Sequence, residues 1–339
     1  MENMDEISLD NYQNVKIPAQ TMCDNLEYWM TRLPALLRNL PIIHLAIPGS
    51  HNTTTYTLNR YNDIGVDEST IIQLLGRFFP FILKPIIFNW SVNQFDSVKE
   101  QLNGGIRYLD LRLATKPNTN SIYFLHGLYG SEVNEPLEEI NNWLSSHPYE
   151  FVILDFQHFY LFNDEHHRQL ISKIKNIFRW KLCPFHKRLD NITLQWLSSE
   201  KYQLIVIYRN IMAKNFHDLW PSGMWPTPWP DTTNAKELDE FLTKTIEKRS
   251  PNMGFISQCL LTPNISYVMR HLGGNLYRDL GEKCRNASFP WINANKPGPG
   301  GMNIVITDFV SHCDFLFSKT VIQRNATLLE DQVKFTKNS

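Results

Sequence analysis

The sequence predicts an α/β fold, a distorted TIM-like (β/α)8 barrel, from three observations. Short apolar runs typical of buried strands alternate with segments of helical spacing, which favours a parallel sheet covered by helices. The 339 residues include 42% hydrophobic side chains, enough for one large barrel or two smaller domains. No Gly-x-Gly-x-x-Gly sequence follows a predicted strand, which argues against an open dinucleotide-binding sheet.

The predicted elements follow one another along the chain with bounds set by their periodicity. Helical spacing covers 26–40, and a first strand at 42–47 leads into a loop that contains His51. A strongly apolar stretch follows at 71–90. Further strands are predicted at 106–113, 122–126, 151–156, 202–208, 254–260 and 303–310, and further helices at 136–146, 164–178, 236–248 and 267–280.

The chain is expected to form one catalytic domain at 26–325, with a polar lead-in at 1–25 and a tail at 326–339. The formal net charge is -1, so a nucleic-acid partner, which usually needs a basic face, is not expected. The five cysteines are widely spaced and odd in number, and the first residues are acidic rather than typical of a signal peptide. We therefore expect a cytoplasmic protein with reduced thiols.

Two segments could contact a membrane. Ile71–Trp90 is apolar, but two prolines and the charged Arg77 and Lys84 interrupt it, so it is too broken for a transmembrane helix. It is either a buried helix on the barrel wall or a surface that touches lipid at the mouth of the site. Trp225–Trp229 is a proline-rich loop with two tryptophans, which either pack in the loop or form an interfacial rim.

Two histidines stand at the ends of apolar runs. His51 follows Ile-Pro-Gly-Ser, and His126 ends Ile-Tyr-Phe-Leu and precedes a glycine that permits a sharp turn. A single histidine of this kind is more often structural than catalytic. A pair at strand ends, where barrel enzymes have their active sites, instead predicts a general base and a general acid.

Charged residues occupy several further strands. Asp110 and Arg112 lie on the face of their strand opposite to the leucines at 109, 111 and 113, so they are expected to point into the barrel. They are either a structural ion pair or part of a site that binds a phosphoryl group. Other polar residues that interrupt or follow apolar strands, and so indicate a polar ligand pocket, are Asp155, Gln157, Arg209 and Asp308.

Together, Ile-Pro-Gly-Ser-His51-Asn52, the segment Gly-Ile-Arg-Tyr-Leu-Asp110-Leu-Arg112, Leu-His126-Gly and Val-Ile-Leu-Asp155-Phe-Gln157 resemble the X region of phosphatidylinositol-specific phospholipases C. The resemblance runs from about residue 40 to 309 and is strongest to the single-domain animal group called PI-PLC X domain-containing proteins. It implies a distorted TIM barrel. It also implies phosphodiester cleavage by attack of the inositol 2-hydroxyl, which gives diacylglycerol and a cyclic phosphate.

The resemblance implies a role for each candidate residue. His51 would be the general base, oriented by Asp308, and His126 the general acid. Asp110 would support His126 or the charge balance of the site. The residues expected to bind substrate are Asn52, Asp155, Gln157 and Arg209.

The resemblance also bears on metal dependence. Calcium-dependent members carry a carboxylate where this chain has Arg112, and the bacterial enzymes use a guanidinium there instead of a metal ion. We therefore expect no cofactor and activity in EDTA. Asn52 and Gln157 replace charged residues of the family, so the preferred headgroup stays open. The alternatives are a phosphodiesterase that acts on another lipid or on a glycerophosphodiester, and a catalytically silent phosphoinositide-binding protein.

Overall fold

The computed structural model describes residues 24–117 and 119–330. Almost all of the predicted lead-in and most of the predicted tail lie outside these residues. Within them, Leu328 and Leu329 pack against the core inside the barrel, so the folded part continues past the predicted end of the domain at 325. No helix in the part of the chain that the structure describes is long and apolar enough to cross a membrane.

A curled, mainly parallel sheet forms the centre of the fold. In spatial order its strands are β7, β6, β5, β2, β1, β9 and β8, and β3 and β4 extend β2 as an antiparallel hairpin. The predicted α/β barrel is confirmed, as are the six later strands to within a few residues. The strands are β1 Ile47–Ser50, β2 Tyr108–Thr115, β3 Ile122–His126, β4 Leu128–Glu132, β5 Val152–Tyr160, β6 Leu204–Tyr208, β7 Trp220–Pro221, β8 Ile256–Cys259 and β9 Ile304–Thr307.

The helices mostly cover the outside of the sheet. Their bounds are α1 Ala35–Arg38, α2 Thr70–Phe78, α3 Pro80–Ser91, α4 Val98–Asn103, α5 Asn134–Ser146, α6 Asp164–Phe178, α7 Leu194–Ser199, α8 Ala235–Ile246, α9 Ile265–Arg270, α10 Glu282–Ala294 and α11 His312–Gln323. The helix predicted at 267–280 is wrong in its bounds. The chain there forms the end of α9, a turn with two glycines, and a π-helical turn at Tyr277–Gly281 that leads into α10.

Alternation along the strands divides the core into two layers. Leu109, Leu111 and Leu113 pack between the sheet and the helices, as the sequence predicts. Tyr108, on the opposite face of β2, packs inside the barrel with isoleucines of the neighbouring strands. The inside of the barrel is therefore filled with side chains, and polar groups collect where the parallel strands end.

The barrel is closed irregularly between β7 and β8. Trp225 is fully buried, and the main-chain N–H of Ile256 donates to Pro226 O at 2.9 Å. The expectation that Trp225 forms part of an interfacial rim is wrong, because this segment closes the barrel wall. Within the loop, Trp229 is the tryptophan that remains exposed.

The segment before β1 differs from the prediction. The spacing at 26–40 predicts one helix, but Pro34 interrupts it, and the chain forms a 3-10 turn at Leu26–Tyr28 and the short helix α1. Residues 42–44 form a second 3-10 turn instead of a strand. The apolar spacing instead reflects packing, because Trp29, Met30 and Leu33 join the cluster of side chains inside the barrel.

A buried ion pair anchors this segment. Arg107 has no exposed surface, and its Nη2 donates to Glu150 Oε2 at 2.7 Å and to Glu27 O at 2.7 Å. Glu150 Oε1 accepts bonds from the N–H and the hydroxyl of Thr31, at 2.8 and 2.6 Å. Each charge is thus fully hydrogen-bonded, which is the condition under which burial of an ion pair is tolerated.

Glu150→Ala is expected to lower the free energy of unfolding by about 3–5 kcal/mol, because it leaves the Arg107 guanidinium buried without its counter-charge. Urea unfolding of both proteins measures the difference. Glu165→Ala is the matched control, since Glu165 pairs with Arg168 on the surface with 60% of its side chain exposed. Equal midpoints for the two variants would contradict the anchoring role of Glu150.

Candidate active site

His51 is hydrogen-bonded at both ring nitrogens. It follows β1 directly, its Nδ1 lies 2.7 Å from Asp308 Oδ1, and its Nε2 lies 3.0 Å from Arg112 Nη2. A guanidinium can only donate, so Nε2 is the acceptor and Nδ1 carries the hydrogen that is donated to Asp308. This is the tautomer required of a general base that acts through Nε2.

Asn93 and Gln94 hold this arrangement in place, and the sequence analysis missed both. Asn93 Nδ2 donates to Asp308 Oδ1 at 2.9 Å, and its Oδ1 accepts from Asn52 Nδ2 at 3.0 Å. Gln94 Nε2 donates to His51 O at 2.9 Å. They follow α3 in an irregular segment, where no periodicity distinguishes a site residue from a loop residue. The side chain of Asn52 is therefore held in the site by its hydrogen bond to the buried Asn93.

Asp110 is buried beside Arg112 and His51. Its Oδ2 accepts from the main-chain N–H of Asn52 at 3.1 Å and from Arg112 Nη2 at 3.4 Å, and lies 3.8 Å from His51 Nε2. Burial alone would raise the pKa of Asp110, but Arg112 and His51 bring it below the usual value. The suggestion that Asp110 supports His126 is not what the contacts show; Asp110 instead balances the charge of Arg112.

His126 lies across the cleft from His51. It ends β3, and Gly127, with φ +66°, makes the turn into β4. The ring centroids of His51 and His126 are 6.4 Å apart. Burial, followed by the nearby Arg112 and His51, lowers the pKa of His126 well below the ordinary value. The carboxylate within ion-pair distance of His126 is Asp67, with Oδ2 4.0 Å from Nδ1.

The guanidinium of Arg209 is held by the buried carboxylate of Asp155. Its Nε and Nη2 donate to the two oxygens of Asp155 at 2.8 and 2.7 Å, a bidentate pair. Asp155 is fully buried and also accepts from the Tyr108 hydroxyl at 2.6 Å. The expected contact between Asp155 and substrate is therefore contradicted, because both of its oxygens are engaged inside the protein. Gln157 Nε2 lies on the same network, 3.1 Å from the Tyr108 hydroxyl.

His158 is a third histidine near the site that the sequence analysis missed. Strict alternation from Asp155 predicts that Gln157 faces inward and His158 outward. The pairing of β2 with β5 shifts by one residue, however, so Arg112 lies opposite His158. Partial burial and the charge of Arg112 lower the pKa of His158. A bulge of this kind leaves no signature in an apolar strand sequence.

The arrangement can perform proton transfer around a phosphoryl group. It brings together a histidine whose Nε2 accepts from Arg112, a second histidine 6.4 Å away, and two arginines held by Asp110 and Asp155. Arg112 Nε and Asp110 Oδ1 have no hydrogen-bond partner among the described residues, so Arg112 retains donor capacity for an oxyanion. In the described ranges, no three His, Cys, Asp or Glu side chains are grouped so that they could hold a metal ion.

This barrel has the fold of bacterial phosphatidylinositol-specific phospholipases C. The Listeria monocytogenes enzyme superposes with a TM-score of 0.58 at 18% identity, covering 89% of this chain and 98% of that one. A Staphylococcus aureus enzyme variant gives 0.63 at 14% identity, covering 90% and 99%. At these identities the likeness establishes the fold. No protein-family model matches the sequence.

The animal relatives establish the family. PI-PLC X domain-containing protein 2 of Mus musculus is 39% identical over 307 residues, covering 90% of this chain and 88% of the relative. Protein 3 of Homo sapiens is 38% identical over 300 residues, covering 88% and 92%. The chain belongs to the PI-PLC X domain-containing proteins, which confirms the family that the sequence motifs predicted.

Proposed function

We propose that the protein is a metal-independent phosphodiesterase that cleaves phosphatidylinositol in the manner of a phospholipase C. The observation that carries the proposal is His51, bonded to Asp308 through Nδ1 and to Arg112 through Nε2, with His126 facing it across the cleft. A base, an acid and a cation around one cleft match what internal attack on a phosphodiester needs.

The reaction proceeds by internal transfer. The inositol 2-hydroxyl gives its proton to His51 Nε2, and its oxygen forms a bond to phosphorus, while Asp308 stabilises the imidazolium that results. The bond between phosphorus and the glycerol oxygen breaks, and His126 gives a proton to the departing alkoxide. Diacylglycerol leaves, and inositol 1,2-cyclic phosphate is the second product.

Arg112 exchanges partners during this reaction. In the free protein its Nη2 donates to His51 Nε2 at 3.0 Å, so it blocks the lone pair that must receive the proton. A phosphate oxygen is a stronger acceptor than a neutral imidazole, so the bound phosphodiester draws the guanidinium away and frees the base. Arg112 thereby takes the electrostatic role that a divalent cation has in other phosphodiesterases.

Substrate contacts beyond the phosphate fall to the residues at the rim. Arg209, held by Asp155, presents a fixed guanidinium to the headgroup, and Gln157 offers an amide group in the same cleft. The amide of Asn52 is buried and donates to Asn93, and its contact with substrate stays a prediction. These roles follow the sequence-based prediction for Arg209, Gln157 and Asn52. Asp155 acts on the substrate indirectly, by orienting Arg209.

The helices α2 and α3 form the proposed membrane-contact surface. Their exposed side chains include Ile71, Phe78 and Phe81, with exposed fractions of 71%, 70% and 91%, and nearby Leu74, Leu75, Phe79 and Ile82 are also exposed. Ile87 of α3 packs with Leu128, directly after the turn that carries His126. The buried-helix interpretation of Ile71–Trp90 holds for the end of α3, where Ile87 and Trp90 are buried, and the exposed side chains of α2 and of the start of α3 support the lipid-contact interpretation, which is the one we propose. Transient membrane association from the cytoplasm stays a prediction.

Release of water-soluble inositol phosphate from phosphatidylinositol in detergent micelles tests the proposal. We expect wild-type activity in EDTA with no increase on addition of calcium, because Arg112 supplies the positive charge. His51→Ala should lose roughly 10²-fold or more in rate, as removal of a general base does. Dependence on calcium would overturn the assigned role of Arg112. Binding of phosphatidylinositol without any product would favour the alternative of a lipid-binding protein without catalytic activity. Cleavage of another phosphodiester in place of phosphatidylinositol would show that the proposed substrate is wrong.

The lowered pKa of His126 predicts a specific pH dependence. His126 must carry a proton to assist an alkoxide but is not needed for a nitrophenolate, which leaves without help. The protonated fraction falls as pH rises above the pKa of His126, so the ratio of kcat/KM for the lipid to kcat/KM for a nitrophenyl inositol phosphodiester should fall by about tenfold per pH unit there. A ratio that is constant from pH 5 to 8 would contradict the role of His126 as the acid.

Phe81→Asp should weaken action on vesicles and spare a soluble substrate. Loss of a phenylalanine that buries itself in lipid removes about 1.5–3 kcal/mol, or roughly ten- to a hundredfold in partitioning. Trp229→Asp is the matched control, because Trp229 is also exposed, at 54%, and lies in the other segment predicted from sequence. Co-sedimentation with phosphatidylinositol vesicles measures binding. A larger effect of Trp229→Asp would place the contact at that loop instead.

A further inference from the structure

The loop that carries Asp67 is fastened to the turn after His126. Asp67 Oδ2 accepts from Gly127 N at 2.8 Å, and Gly65 N donates to Gly127 O at 2.7 Å. A further hydrogen bond extends the attachment, in which Tyr129 N donates to Asp63 O at 3.0 Å. The carboxylate therefore has a fixed position, with Oδ2 4.0 Å from His126 Nδ1 and 13% of its side chain exposed.

His126 cannot hold a proton well without such a partner. The charged groups that face it are Arg112 on β2, His51 after β1 and His158 on β5, and all of them oppose a positive charge on its ring. The proposed reaction adds to the positive charge around His126, because His51 becomes an imidazolium as the hydroxyl attacks. A general acid in this place therefore needs a nearby negative charge.

We propose that Asp67 is a positioning residue for the general acid, and that its carboxylate orients His126 through Nδ1 and keeps the ring protonated until the leaving alkoxide takes the proton. The inference rests on the proposed function of the site. It assigns a role to a loop residue that lies outside every strand-end motif. A shortening of the 4.0 Å separation by about 1 Å converts the ion pair into a charge-assisted hydrogen bond.

The other carboxylates of the site are hydrogen-bonded to groups other than His126. Asp110 contacts Arg112 and the N–H of Asn52, and Asp308 contacts His51 and Asn93. Asn52, the residue after the base, carries an amide and no charge. Asp67 is thus the carboxylate within ion-pair distance of His126 among the described residues.

The ionisation of Asp67 is compatible with this role. Burial raises the pKa of Asp67, while the Gly127 N–H and the charge of Arg112 restrain the increase. Because Asp67 and His126 lie within ion-pair distance, the protonation of one group affects that of the other. The other titratable groups that face Asp67 are Glu68, whose pKa burial raises to about 7, Tyr129 and Tyr160.

The dependence on the leaving group tests the proposal. Asp67→Asn should lower kcat for phosphatidylinositol by about ten- to a hundredfold, within the range of general acid catalysis, and should change kcat for the nitrophenyl inositol phosphodiester by less than about threefold. His126→Ala should show the same selectivity with a larger loss. Asp63→Asn is the matched control from the same loop, since its carboxylate is 69% exposed and pairs with Lys116. It should behave as wild type.

A titration of His126 by NMR gives a readout that does not depend on turnover. Loss of the carboxylate should lower the pKa of His126 by about one unit in Asp67→Asn and leave it unchanged in Asp63→Asn. Asp67→Ser, which keeps a short acceptor for the Gly127 N–H, should reproduce both effects if Asp67→Asn folds poorly. A melting curve for each variant reports its folding.

The outcomes separate the two proposals. Selective loss on the lipid with a lowered pKa of His126 supports the role of Asp67. An active wild type with equal loss on both substrates, no loss on the lipid, or an unchanged pKa of His126 overturns that role and leaves the proposed function intact. A wild type that cleaves neither substrate overturns the proposed function and the catalytic role of Asp67 with it.

Discussion

The hydrogen bonds on the two sides of His51 fix the chemistry that the rest of the fold can support. Asp308 accepts from Nδ1 and Arg112 donates to Nε2, so the ring has one tautomer and one orientation. Arg112 lies on β2 and Asp308 directly follows β9, and both strands pair in parallel with β1, so the three strand ends meet at one edge of the sheet. Asn93 then ties the Asp308 carboxylate to the segment after α3. The pairing of β1 with its two neighbours thus sets the orientation of one imidazole ring.

Buried ion pairs lie at both ends of the barrel. At the end where the strands begin, Arg107 and Glu150 satisfy each other and the segment before β1 completely, and the pair is structural. At the end where the strands finish, Asp110 and Asp155 each hold an arginine. Arg112 Nε has no partner among the described residues, whereas Arg209 Nη2 also donates to Trp225 O at 2.9 Å. The same residue types therefore stabilise the fold in one place and prepare an anion site in the other, and the difference lies in which donors are left unsatisfied.

Sequence patterns predicted what depends on short-range periodicity. The two-layer alternation of β2, the strand-end positions of His51 and His126, and the arginine at 112 follow from alternation and from the places where apolar runs stop. The contacts of Asn93, Asp67 and His158 could not be predicted, because they depend on loop paths and on a one-residue shift between β2 and β5. Of the two alternatives for Trp225, packing and an interfacial rim, the sequence could not choose packing for a related reason: closure of the barrel between β7 and β8 uses a loop segment in place of a strand. Composition alone does not distinguish such a segment from an interfacial loop.

In the proposed reaction, the contact between Arg112 and His51 couples substrate binding to the availability of the base. While the guanidinium donates to Nε2, the base is occupied, and proton abstraction from water or a chance hydroxyl is disfavoured. A phosphodiester that takes over the guanidinium frees Nε2 and at the same time neutralises part of the positive charge that opposes proton uptake. Asp110 remains hydrogen-bonded to the Asn52 N–H and close to Arg112 throughout, so the guanidinium needs to shift only locally. In the proposed reaction, the base is therefore freed by the same phosphate group that the inositol hydroxyl attacks, which ties reactivity to the presence of the correct functional group.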